Sequence, residues 1–407
     1  MNPSDARLEM ARSGRFVSYL SISAYGSSVS RVVVFVCVVV VIGAYCFCPR
    51  LLAQMPDSAN ADEPTTSWTA TTDVKADNLN RARIIESHSQ NGNQTVDKRT
   101  VEIRGVNGYL EDYQDIEREM LQVDSSTVRT ISRTFVHDLN GRKTLVQATE
   151  EEKHTLLEGD SNTVRTTFIA DLNGTLQPVR REIVDTKSID TNMEETNTTV
   201  MLPSFYGGFA SAMKVHEVQK PGANGTIESQ QTTLLLDGTG NCQAREIRQR
   251  STTRPGVNSR NTEEHFFRRD AEDKLSEFSH VVSKESESAS GETRHMVETY
   301  ALDRPGTTPD GSLHLVERST STHRGSATGE QTQKQVDQVN PGDPDSGLRV
   351  SVLVDGRMVP GPSGEQSTVI IRKRDANGNF GIVTVETTKS DRLPTIQVQQ
   401  APAENPQ

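Results

Sequence analysis

The main part of the chain shows no helical spacing of hydrophobic residues. Short segments rich in Thr, Val, Arg and Glu alternate with clusters of Gly, Asn, Asp and Ser. These clusters return about every 16 residues, and turn residues between β-rich segments predict antiparallel hairpins. The clearest turn segments are Val106-Asn107-Gly108-Tyr109, Asp138-Leu139-Asn140-Gly141, Asp171-Leu172-Asn173-Gly174 and Asp375-Ala376-Asn377-Gly378.

The turns repeat with a regular period, because Gly108, Gly141 and Gly174 are each 33 residues apart. Asn-Gly is a strong hairpin signal, since both central residues of a type I′ turn need φ > 0. Centring two-residue turns on the Asn-Gly pairs predicts a register for each hairpin. The predicted pairs are Arg104 opposite Glu111, Val136 opposite Leu145, Phe135 opposite Val146, Ile371 opposite Thr384 and Arg372 opposite Val383.

The predicted strands lack a continuous apolar face, and their apolar residues lie mostly close to the turns, as Phe168 and Ile169 do. A two-layer sandwich needs one apolar face on each strand. We therefore predict an all-β fold over residues 83–390, an antiparallel meander of about nine hairpins, with 16 to 18 strands of roughly 10–13 residues. The expected form is a thin or curled sheet, or a β-solenoid in which each hairpin packs on its neighbours.

The N-terminal 53 residues read as an export signal. An uncharged run of 17 residues extends from Val32 to Cys48, follows four Arg residues and precedes the small residue Ala53. Cleavage near Ala53 is one interpretation. The other is an uncleaved signal-anchor, since the run is at the lower limit for spanning a bilayer. Membrane contact is expected, at most, through this segment.

Two other segments lack any apolar period. Residues 54–82 are rich in Ser, Thr, Asp and Ala, and residues 391–407 in Pro and Gln, so both are predicted to be disordered. The formal net charge of −11 argues against nucleic acid as a partner. Only Cys242 follows the signal segment, which excludes an internal disulfide there.

Motifs for catalysis or cofactor binding do not emerge from the sequence. The nine His residues are scattered and show no metal-binding spacing, and no G-x-S-x-G or phosphate-loop motif occurs. The Asp-Leu-Asn-Gly segments begin like calcium loops, but Arg142 and Thr175 stand where further oxygen ligands are needed. We therefore predict no catalytic, cofactor-binding or metal-binding residues.

One uncharged stretch, residues 196–213, includes Phe205, Tyr206 and Phe209. Either this hairpin packs inward, or its aromatic residues contact a membrane, a glycan or a protein partner.

These observations favour an exported, non-enzymatic repeat protein with a structural, scaffold or adhesive role in the periplasm or at the cell surface, whether secreted or tethered by its N-terminal segment. One alternative is a hydrolytic enzyme whose site is assembled from distant strands. The other is an outer-membrane β-barrel, which the low aromatic content of 5% and the absence of an apolar band along the strands make less favourable.

Overall fold

The computed structural model describes residues 66–391, apart from 77–78, 139, 157–158, 191–192, 237–239, 271, 303–310, 327, 362–363 and 376, and apart from the side chain at 224. The predicted signal segment, the first part of the spacer and almost all of the C-terminal tail therefore lie outside the described residues. Within the described part, no helix is long and apolar enough to cross a membrane.

Within the described residues, twenty antiparallel strands form one sheet, and each is paired with the next strand in the chain. Where the connections are fully described they include the 3-10 helices Ala223–Gly225 and Pro344–Ser346. The strands are β1 (Thr66–Ala76), β2 (Leu79–Asn91), β3 (Gln94–Arg104), β4 (Leu110–Gln122), β5 (Thr127–His137), β6 (Lys143–Thr155), β7 (Ser161–Ala170), β8 (Leu176–Asp190), β9 (Met193–Pro203), β10 (Phe209–Pro221), β11 (Ile227–Leu236), β12 (Cys242–Gly256), β13 (Ser259–Arg269), β14 (Leu275–Glu287), β15 (Glu292–Ala301), β16 (His314–Ser326), β17 (Gly329–Val339), β18 (Leu348–Gly361), β19 (Gly364–Arg374) and β20 (Phe380–Ser390).

The sheet closes on itself, because β1 pairs with β20 as well as with β2. The closing register runs from Ala70 opposite Ser390 to Lys75 opposite Val385. The prediction of an all-β antiparallel meander is confirmed. The prediction of a thin sheet or solenoid is wrong, since pairing of the first and last strands removes both edges and produces a barrel.

The first strand lies inside the segment predicted to be a disordered spacer, so the strands begin at Thr66 and not near residue 83. Its Thr-rich sequence resembles a linker in composition. However, Trp68, Ala70 and Val74 alternate with polar residues, and Ala70 and Val74 are buried. Hydrogen bonding on both sides, to β2 and β20, holds this polar strand in the sheet.

Alternate turns of the meander meet at the same end of the barrel. We call one end the Asp-turn rim. It carries the matching five-residue turns 105–109, 138–142, 171–175, 204–208, 270–274 and 375–379. The other end, the terminal rim, is where β1 begins and β20 ends. The first five of these turns begin at residues that are multiples of 33 apart, so the predicted period corresponds to one hairpin.

Four of these turns, which begin at Asp138, Asp171, Asp270 and Asp375, are three-residue loops held by the side chain of that aspartate. At 138–142 the Asp138 carboxylate accepts hydrogen bonds from the backbone N–H groups of Asn140 (2.8 Å) and Arg142 (2.9 Å). Gly141 has φ = 76°, and its N–H donates to the Asp138 carbonyl. Asn140 has no positive φ, so the predicted type I′ turn is wrong here. A type I turn followed by a left-handed residue takes its place.

This loop changes the register beside the turn. Val136 pairs with Thr144 and Phe135 with Leu145, one residue away from the predicted partners. A β-bulge then shifts the register back, so that Thr134 pairs with Gln147.

The same shift occurs in the other two hairpins with a predicted register. Arg104 pairs with Leu110, and Arg372 pairs with Ile382. Ile371, beyond its bulge, has the predicted partner Thr384. Every hairpin that turns at the Asp-turn rim carries such a bulge near the turn. Bulges increase local twist, and their repetition on one rim favours curvature toward closure.

Candidate functional site: the lumen and the apolar collar

The wall of the barrel has two unlike faces. Directly paired residues share a face, so the register traces each face around all twenty strands. One face carries most of the buried residues, such as Val74, Val354 and Val369. Residues on the other face, such as Thr69, Gln333 and Gln335, are exposed. The concave side of a closed sheet crowds its side chains, so the buried face lines the lumen.

The lumen wall is largely polar. Arg165 on β7 lies between Glu151 and Glu182 on its two neighbours, with N–O distances of 2.5 and 3.3 Å. Hydroxyl pairs also cross the strands, such as Thr72 with Thr388 at 2.8 Å. Charged and hydroxyl groups on an inner wall are typical of barrels whose interior holds water.

The strand number indicates a wide interior. Strands about 4.8 Å apart and tilted by about 40° give twenty strands a circumference near ~125 Å, or a backbone diameter of ~40 Å for a circular section. Side chains fill the interior of an eight-stranded barrel, but those of a 16- to 18-stranded barrel leave a channel. A circular barrel of this strand number therefore encloses a water-accessible space and not a packed core.

One arc of the lumen wall, from β17 through the closure to β3, is apolar. Buried residues on this arc include Val336, Val354, Val369, Ile371, Val74, Ala82, Ile84 and Val101. Glu386 lies between Val369 and Val74 in the register, and burial raises its pKa to about 7. Burial also raises the pKa of Glu86 and lowers that of Lys334 on the same arc. On this arc burial disfavours the charged form of each of these three side chains, whereas Arg165 is paired with two carboxylates.

The outer face carries a belt of apolar side chains next to the Asp-turn rim, which we call the apolar collar. Across most strands from β4 to β20 the outward positions nearest this rim are apolar. The collar comprises Leu110, Phe135, Leu145, Phe168, Leu176, Met201, Phe209, Leu234, Leu236, Phe267, Leu275, Tyr300, Leu315, Val339, Leu348, Phe380 and Ile382.

The turn tips beyond the collar extend its apolar surface. Phe205 and Tyr206 are 98% and 96% exposed and contact each other edge to face, with ring centroids 5.7 Å apart. Val106 and Leu172, at equivalent turns, are also fully exposed. Inward packing of the uncharged stretch is therefore wrong for Phe205 and Tyr206, whereas Phe209 is half-buried in the collar.

Beyond the collar the outer face is charged. Arg318 pairs with Glu298 (2.7 Å) half-way along the wall. On the closing strands the charges reach the collar level, where Arg83 contacts Asp73 at 2.8 Å. The collar is thus interrupted at β1–β3 and at β19, whose outward residues beside Ile382 and Phe380 are Arg372 and Arg374. Two outward positions per strand correspond to a belt only ~10 Å high along the barrel axis.

The structure also brings together residues that the sequence keeps apart. His265 on β13 stacks on His280 of β14, with ring centroids 4.2 Å apart. An outer-wall groove of about 480 Å³ runs from His216 on β10 to His265. Cys242 is an exposed free thiol beside the Asp-turn rim. No motif in the sequence marks the histidine pair, because the pair depends on the register of two strands.

Comparison with known proteins adds little. No family model and no curated protein matches the chain. A porin-like protein from Bacteroides uniformis aligns with 68% of this chain and 95% of its own, at 12% identity and a TM-score of 0.16. Transferrin binding protein B from Haemophilus parasuis aligns with 81% of this chain and 76% of its own, at 10% identity and a TM-score of 0.13. Neither likeness supports an inference about the function of this chain.

Proposed function

We propose that this chain is an exported β-barrel that seats its Asp-turn rim in a membrane and encloses a wide aqueous lumen. The observation that carries the proposal is the apolar collar with its exposed tips on one rim of a closed, polar-lined barrel. The closed barrel favours the outer-membrane β-barrel over the structural or scaffold role that was predicted from an open array of hairpins. The sequence shows no apolar band along the strands, which argues against an outer-membrane barrel. This argument is weaker in the structure, because apolar residues near separate turns assemble into one belt.

The collar supports seating in the membrane and not spanning. An outer-membrane barrel needs an apolar band about 25 Å high, and the collar reaches less than half of that. Charged pairs such as Arg318–Glu298 on the remaining outer wall favour water. Complete burial of a large apolar side chain contributes about 1.5–3 kcal/mol, so several fully exposed tips together favour an interface with lipid.

Flotation with liposomes tests the seating. The chain from residue 54 onward contains all twenty strands and lacks the apolar N-terminal segment. We expect it to float with phosphatidylcholine vesicles, and Phe205→Ser combined with Tyr206→Ser to reduce the floated fraction several-fold.

Two fully exposed valines on opposite rims give a matched control. Val106→Ser at the Asp-turn rim should weaken flotation, whereas Val257→Ser, in the β12–β13 turn at the terminal rim, should not. Failure of the unmodified barrel to float, or equal effects of the two valine changes, would overturn the proposal.

Adjacent threonines on β7 test the open lumen. Thr167 faces the lumen and Thr166 faces outward, and both are half-buried. In a Cys242→Ser background, Thr167→Cys and Thr166→Cys should both react with a maleimide attached to a polymer of a few kilodaltons. Labelling of the outer position alone would show that the interior is filled.

A further inference from the structure

A cluster on the outer wall has the composition of a metal site. Glu263 and His265 are successive outward residues of β13, and His265 pairs directly with His280 of β14. One potential ligand atom from each of the three residues lies within 4.8 Å of the others. Imidazole nitrogens and a carboxylate are the ligands of many three-residue zinc sites, whose fourth position is open.

The surroundings of His265 match those of a metal ligand. Its Nδ1 lies 2.7 Å from Oε1 of Glu277, across the strand pair. A metal-binding imidazole commonly donates its second N–H to a carboxylate in this way, which fixes the tautomer and leaves Nε2 as the basic nitrogen. Glu277 is therefore an outer partner that orients His265.

His280 supplies an independent observation. Its Nε2 is buried and has no hydrogen-bond partner among the described residues. A buried polar nitrogen without a partner is costly, and a bound cation would satisfy it. The ring is held between His265 and Tyr300, whose centroid is 5.5 Å away.

The ring geometry sets one condition on binding. The two imidazoles lie nearly parallel, with an interplanar angle of 12°, so at least one must rotate to direct both nitrogens toward one ion. Rotation about the outer His torsion has a broad energy minimum, so the torsion itself does not oppose this adjustment. Glu263 is exposed and can move toward the ion.

We propose that Glu263, His265 and His280 bind one divalent transition-metal ion, of which Zn²⁺ is the best match, with Glu277 as the positioning residue for His265. The exposed side of the site leaves a coordination position open to water, next to the groove that runs to His216. This site is independent of the seating of the rim in a membrane.

Zinc titration of the full chain, stripped with a chelator, tests the site. All variants carry Cys242→Ser, because the exposed thiol is itself a zinc ligand. We expect one-to-one binding in the micromolar range or tighter, measured by competition with a chromogenic zinc chelator. The cysteines before residue 49 are the same in every variant, so the site is measured as a difference.

The ligand variants are compared with one control, a histidine on the opposite face of the wall. His280→Ala and Glu263→Gln should each weaken this binding at least about tenfold, and Glu277→Gln by about 10- to 100-fold. His295→Ala, on the lumen side of the adjacent strand β15, should leave it unchanged. Co²⁺ should give visible absorption bands that His280→Ala removes.

The control for folding is Glu263→Gln, since Glu263 is exposed and its replacement should not disturb the barrel. Two results would overturn the proposal. One is the absence of this zinc site in the chain that carries Cys242→Ser alone, and the other is equal zinc affinity in the His280→Ala and His295→Ala variants.

Discussion

The two rims of the barrel are built from the same strands but differ in their turns and in their outer surface. The Asp-turn rim repeats a five-residue turn at six positions, carries a bulge in every hairpin and is bordered by the apolar collar along most of its circumference. The terminal rim lacks this repeated turn, and its outward residues, such as Glu195 and Lys389, are mostly polar. The two ends of the barrel therefore differ chemically, although the sequence of each strand alone is almost uniformly polar.

Glycines at the two rims also differ in what surrounds them. A Cβ added at Gly174 of an Asp-turn would meet nothing within 4 Å. A Cβ added at Gly364, at the terminal rim, would lie 1.8 Å from the carbonyl oxygen of Ser390. Gly174 is needed only for its left-handed backbone conformation. Gly364 is also needed because it allows two backbones to approach closely.

The largest effect is therefore expected at the terminal rim. Gly364→Ala should destabilise the barrel by about 3 kcal/mol or more, because strain at φ = 126° adds to a backbone clash beside the closing strands. Gly174→Ala should cost only about 1 kcal/mol. Urea denaturation followed by circular dichroism measures both, and equal costs would contradict the contrast between the rims.

Between the rims, Glu386 places a carboxyl group in the apolar arc of the lumen. Its pKa rises from 4.5 to about 7 on folding, so the folded barrel binds this proton more tightly than the unfolded chain does. Its contribution to stability should therefore decrease as pH rises from about 4.5 to about 7 and stay constant above. Glu386→Gln should stabilise the barrel at pH 8 by up to ~3 kcal/mol and have little effect at pH 4.

Thermal unfolding at the two pH values measures the effect of Glu386→Gln. Glu150→Gln, on the outer face of β6, is the control, because Glu150 is exposed. A similar gain from both variants at pH 8 would assign the effect to net charge and not to burial.

A smaller effect is expected from the side chain that holds an Asp-turn. Asp171→Ala removes the acceptor of the N–H groups of Asn173 and Thr175 and should cost about 1–2 kcal/mol. Asp171→Asn keeps an oxygen acceptor and should cost less. Hydrogen exchange should increase at these two amides, while turns at the terminal rim stay protected as before. Faster exchange at both rims would argue against a local role.

The smallest effect, no change at all, is expected from calcium. The Asp138 and Asp171 carboxylates already accept two backbone N–H groups each, so they hold a turn and not an ion cage. Millimolar calcium should leave the melting temperature unchanged. A rise of several degrees that Asp171→Ala abolishes would show that these turns bind cations.

Local chemistry allowed much of the fold to be predicted. Gly141 and Gly174 marked turns correctly, because a left-handed residue at a hairpin loop has few alternatives. The hairpin period and the antiparallel meander followed from the same signal. The exact register did not follow, since a three-residue loop and a compensating bulge differ from a two-residue turn only in backbone detail.

The candidate sites were far less predictable. The aromatic residues Phe205 and Tyr206 stood out in the sequence, but whether they packed inward or stayed exposed depended on the neighbouring hairpins. The pairing of His265 with His280 required a register that the sequence did not reveal.

By itself the sequence determined a repeating array of β-hairpins, because turn and strand preferences act between residues close in the chain. Only the tertiary structure decided that the array closes, that scattered apolar residues near the turns form one collar, and that the lumen wall has a polar part and an apolar arc. Closure joins Thr72 to Thr388, and local preferences cannot encode a pairing between residues so far apart in the sequence. The accumulated twist and the repeated bulges of all twenty strands bring these edges together.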